Sequence, residues 1–98
     1  MNNEDEVAIL LSVQRALLGM VTPSLRAVSA TVDSIKNEVS YFFFYDGQIT
    51  EEQRDLASCV INESSADFFD YMVNSHIIRL DYPQKIPFQG RVAYLRKE

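Results

Sequence analysis

The sequence predicts an α+β domain: a mainly antiparallel four-stranded sheet with two helices packed on one of its faces. Residues 40–45 read Ser-Tyr-Phe-Phe-Phe-Tyr, a strand with Tyr41, Phe43 and Tyr45 on one side and Phe42 and Phe44 on the other, so that both sides are apolar. Two stretches, one near the start and one beginning at Thr50, space their apolar residues at three and four positions, as helices do. Four short runs of period-two alternation fall in pairs after each helix, which sets the order α-β-β-α-β-β. Two hairpins joined by a helix favour antiparallel pairing within a single domain spanning residues 1–98.

Taken in order, the first helix should run from Asn3 to about Met20. Asn3 stands three residues before Glu6 as in a capping box, and Glu4, Asp5 and Glu6 suit the positive end of the helix dipole. Leu10, Val13, Leu17 and Met20 or Val21 form its apolar face, and Thr22-Pro23 ends it, since a residue before proline is pushed out of helical geometry. Leu25 to Val32 alternates small and β-branched residues as a strand does, and Asp33-Ser34 with Lys36-Asn37 supplies the turn into the aromatic strand. Asp46-Gly47 ends that strand, glycine permitting a positive φ. Thr50-Glu51-Glu52-Gln53 is a capping box that opens a helix expected to reach about Asn74, loosened at Asn62 to Ser65. Ile77 to Tyr82 and Arg91 to Leu95 complete the strands, with Pro83, Pro87 and Gly90 in the loop between them.

Ninety-eight residues, 47% of them hydrophobic and 11% aromatic, are enough for one core and too apolar for disorder. A net charge of -5 argues against direct nucleic-acid binding, which needs a basic surface. The balance is uneven: residues 1–70 carry 12 acidic and 4 basic side chains, residues 71–98 carry 2 and 5. One cysteine, Cys59, excludes an internal disulfide and suits a reducing compartment. The longest apolar stretch, Val7 to Leu11, is far too short to span a bilayer, and the acidic opening is unlike a secretion signal, so a cytoplasmic location is expected with no membrane partner.

Chemistry-bearing motifs are sparse. His76 has no second histidine or cysteine near it in sequence, and its expected place is the junction of helix and strand, where a donor helps finish the helix. Cys59 is surrounded by carboxylates, which raise a thiol pKa and weaken a nucleophile. Gly19, Gly47 and Gly90 are isolated, so no phosphate loop is present. No enzyme, metal or cofactor is therefore expected. What remains is a helix face carrying Glu52, Asp55, Glu63, Asp67 and Asp70, interrupted by Cys59, with Arg54 the one cation in that helix. Read plainly it is a solvated outer face; read functionally it steers a basic partner, with Phe42 and Phe44 as exposed aromatic anchors. The alternative use of the aromatic face is burial by loops or against a second copy in a homodimer.

Several stretches together resemble a known group of proteins. They are the acidic first helix, Thr22-Pro23-Ser24-Leu25-Arg26-Ala27-Val28, residues 41–47, Glu51-Glu52, Glu63 with Ala66-Asp67-Phe68, Leu80-Asp81-Tyr82-Pro83, and residues 92–98. This pattern is similar to small acidic bacterial immunity proteins of contact-dependent inhibition and other polymorphic toxin systems. The resemblance implies an antitoxin that binds a cognate protein toxin, often a basic nuclease, in the cytoplasm, and blocks its active site or substrate path. It assigns no contact residue, because such families share no common binding motif.

Overall fold

The aromatic strand takes the centre of the sheet because its two apolar sides need cover on both faces. In the computed structural model, which describes residues 3–98, the elements run α1 (Asn3–Ala16), β1 (Leu25–Asp33), β2 (Glu38–Tyr45), α2 (Glu51–Ser65), a short 3-10 turn (Ala66–Phe68), β3 (Met72–Arg79) and β4 (Arg91–Leu95). The Asn3 side chain, and with it the capping box expected at Asn3, lies outside the described residues. Strand order is β3-β2-β1-β4.

One correction concerns that sheet. The first hairpin forms as expected, β1 and β2 pairing antiparallel from Leu25↔Tyr45 to Asp33↔Glu38. The second does not. β3 pairs parallel with β2, from Glu38↔Met72 to Tyr45↔Arg79, and β4 pairs antiparallel with β1 at the opposite edge. The sheet is therefore mixed. A crossover through α2 returns the chain to the start of β2, the usual route between parallel neighbours. Residues 80–90 then cross the second face of the sheet to reach β1, and Gly90 meets β1 so closely that an added Cβ would collide with the Ala30 carbonyl oxygen.

A second correction concerns where α2 stops. The box at its start is as read: Thr50 Oγ1 accepts from the Gln53 amide at 3.2 Å and Gln53 Oε1 accepts from the Thr50 amide at 3.0 Å. The helix ends at Ser65, well before Asn74, and what had looked like its last turns is the 3-10 turn and the start of β3. Ser65 competes with the helical backbone, its Oγ bonding back to the Asn62 carbonyl at 3.3 Å. His76 accordingly lies in the middle of β3, not at a helix end, and stacks on Phe42 with ring centroids 4.7 Å apart.

The main core lies between the helices and the sheet. Ile9, Val13, Ala16 and Leu17 from the first helix and the turn after it meet Tyr41, Phe43 and Tyr45 of β2 and Ala57, Val60 and Ile61 of α2. Full burial of each large side chain contributes roughly 2 kcal/mol. On the other face Ala27, Phe42 and Phe44 are covered by Ile78, Leu80 and Ile86. No described helix is long and apolar enough to cross a membrane.

A candidate partner-binding end of the molecule

The sheet has two dissimilar ends. Where β1 starts and β2, β3 and β4 finish, charges are matched. Arg26 is 2% exposed, because a register shift between Leu25 and Ala27 turns it under the 80–84 loop. It donates to Glu98 at 2.7 and 2.9 Å, to the Leu80 carbonyl at 2.7 Å and to the Gln84 carbonyl at 2.8 Å. Arg96 bridges Glu98 at 2.9 Å and Asp46 at 3.1 Å and reaches the Pro23 carbonyl at 2.9 Å. Asp81 accepts from Arg79 and, at 2.8 Å, from the Gly47 amide. Hydrogen bonds from Arg26, then from Arg96, hold the Glu98 carboxyl down to a pKa of about 2. Arg79 holds the Asp81 carboxyl below its usual range as well. Most stretches that carry the family resemblance meet here, so their pattern records how the chain is fastened.

At the opposite end, where α2 finishes and β3 begins, the acids are treated differently. Glu63 lies in the last turn of α2, which has no basic residue, so its charge adds to the negative pole of the helix dipole. Glu63 and Asp70 are exposed and make no ion pair among the described residues. Beside them in sequence Phe69 is 85% exposed and Met72 63% exposed. Ile35, 91% exposed, lies at this end too, in the β1–β2 turn; the Met72 amide donates to the Asn37 carbonyl of that turn at 2.8 Å.

A polar chain, buried from Tyr41 to Ser12 and ending at the exposed Asp67, holds this end in shape. Asp67 Oδ2 is 2.8 Å from Ser12 Oγ, Ser12 Oγ is 2.9 Å from Ser64 Oγ, and Ser64 Oγ is 2.9 Å from the Tyr41 hydroxyl. An ionised carboxylate only accepts, so Ser12 donates to Asp67, Ser64 to Ser12 and Tyr41 to Ser64. Burial raises the Tyr41 pKa, which keeps that phenol a donor. The row ties α1, α2 and β2 to the 3-10 turn, and so sets the direction in which the chain leaves toward Phe69 and Asp70.

The expected site residues thus separate. Glu52 and Asp55 are exposed near the start of α2, roughly 15 Å along the helix from Glu63 at 1.5 Å per residue. Asp67 and Asp70 lie beyond the α-helix, and Asp67 is engaged by Ser12. The five carboxylates are therefore not one continuous row. Phe42 and Phe44, expected as exposed anchors, are 9% and 1% exposed, shielded by His76, Ile78, Leu80 and Ile86. Of the two alternatives for this face, burial by loops or against a second copy, the chain's own Leu80 and Ile86 supply the first. Phe69 and Ile35 escaped the sequence reading, and Met72, whose spacing continues the apolar face of α2 with Phe68, is instead exposed at the start of β3. One signal was there: in Phe68-Phe69 only one of two adjacent helical residues can face the core, and Phe68 does.

Chemically, this end can attract cations and bury an apolar contact. No group of three His, Cys, Asp or Glu side chains is gathered as a metal would need among the described residues. No curated protein matches the chain. The model of the MafI2 immunity protein family matches residues 6–98, nearly the whole sequence, and the chain belongs to that family.

Proposed function

We propose that the chain binds its cognate protein toxin in the cytoplasm and neutralises it without catalysis, offering the end of α2 and residues 66–72 to a basic surface of the toxin. Family membership supports the existence of a toxin partner. The observation that carries the choice of surface is Glu63, a carboxylate without an ion pair among the described residues at the negative pole of α2, followed by exposed Phe69, Asp70 and Met72. The Glu63 charge destabilises the free helix by about 0.5 kcal/mol. A Lys- or Arg-rich partner reverses that sign and gains a faster encounter. Glu52 and Asp55 extend the negative field along the same helix and act at longer range.

The experiment is association of the purified chain with the toxin domain encoded beside it, together with protection of cells producing that toxin. The wild-type chain should bind and protect. Glu63→Gln with Asp70→Asn should associate roughly tenfold more slowly at low salt, with a flatter salt dependence. Failure of the wild-type chain to bind overturns the function; normal kinetics of the double variant overturn the surface.

A further inference from the structure

The two edges of the sheet are protected unequally. β4 is five residues long, begins with Arg91, and is followed by Arg96 and Lys97, charges that discourage another strand from joining. β3 is eight residues long, and from Tyr71 to Ile78 contains no Lys, Arg, Asp, Glu or Pro. The Met72 and Leu80 amides donate inward, to the Asn37 and Tyr45 carbonyls at 2.8 Å each. Backbone groups alternate along a strand, so Val73, Ser75, Ile77 and Arg79 direct their N–H and C=O groups outward, where the sheet has no further strand. A row of this kind is a template for strand addition.

Building on the toxin-binding reading above, we infer that the free edge of β3 receives an extended segment of the toxin as a fifth strand, with a basic residue of that segment beside Asp70 and Glu63. Charge selects this occupant over a second copy. Each copy carries a net charge of -5, and the cation at the far end of β3, Arg79, is already paired with its own Asp81. A second copy would therefore bring little free positive charge to Asp70, whereas a basic segment gains from it. Main-chain bonds along β3 would supply grip, and the acids at its start would choose the partner.

Ser75→Pro tests the inference. It removes an outward N–H and leaves the inward ladder to β2 intact, the position where an edge strand tolerates proline. The variant should keep its thermal midpoint within a few degrees and bind the toxin domain encoded beside it roughly tenfold more weakly, the effect of about one main-chain hydrogen bond. Independently, the Ser75 and Ile77 amides of the wild-type chain should exchange at least about tenfold more slowly in the complex than alone. This second measurement decides the matter if the proline variant misfolds. Toxin binding with unchanged exchange at both amides overturns the strand and leaves the toxin-binding function standing. A concentration-dependent dimer that protects the same amides without toxin gives the edge to a second copy and overturns the proposal. Absence of any toxin complex overturns both.

Discussion

At one end of the sheet Arg26, Arg79, Arg96, Asp46, Asp81 and Glu98 neutralise one another over the loop that closes the second face; at the other, Glu63 and Asp70 stand without ion pairs among the described residues, beside Phe69 and Met72. The same residue types serve folding in the first place and are left unsatisfied in the second. Pairing needs both signs within reach, and the carboxylates near the end of α2 have no cation in its last turn. An end that pairs its charges and buries its arginine is finished. The other end keeps Glu63 and Asp70 free for the partner proposed above.

The strongest way to break this contrast is Arg26→Met. It leaves Glu98 with Arg96 alone and strands the Leu80 and Gln84 carbonyls, and it should cost roughly 3 kcal/mol in urea unfolding. Phe69→Ala at the open end should change folding stability by less than about 0.5 kcal/mol and weaken the toxin complex by about 2 kcal/mol, as titration calorimetry would show. Asp67→Ala sits between these behaviours. Without the final acceptor of the Tyr41–Ser64–Ser12 chain it should lose about 1.5 kcal/mol of stability and, by loosening residues 66–70, some affinity too.

Acid should act on the fastened end. Glu98 and Asp81 have folded pKa values below those of the unfolded chain, so their stabilisation is complete above about pH 4.5. It is lost as pH falls toward 2. Thermal midpoints measured across that window should drop, and Glu98→Gln should flatten the drop.

Much of this architecture was legible from local rules. The Thr50 box, the Asp46-Gly47 stop and the two-sided aromatic strand depend on residues adjacent in sequence, and each stands where expected. The crossover did not show, because Phe68 and Met72 continue the helical spacing of α2, so the loosening at Asn62 to Ser65 did not read as the helix end. Burial of Phe42 and Phe44 by loops was among the readings, but the identity of the cover, His76, Ile78, Leu80 and Ile86, was not legible, because a parallel pairing that alternation alone cannot reveal places it. Arg26 within a strand of small residues was a hint. Its partner Glu98 stands 72 residues away, beyond any local pattern.

The claim that the open end is reserved for a partner is tested most directly by measuring folding stability and toxin affinity on one variant, Glu63→Lys. A cation at the negative pole of α2 should raise folding stability by about 0.5 kcal/mol. Against a basic toxin the same change should lower affinity at least about tenfold. Opposite movements of the two quantities are the predicted result; a variant that is more stable and binds the toxin as tightly as the original would contradict the account.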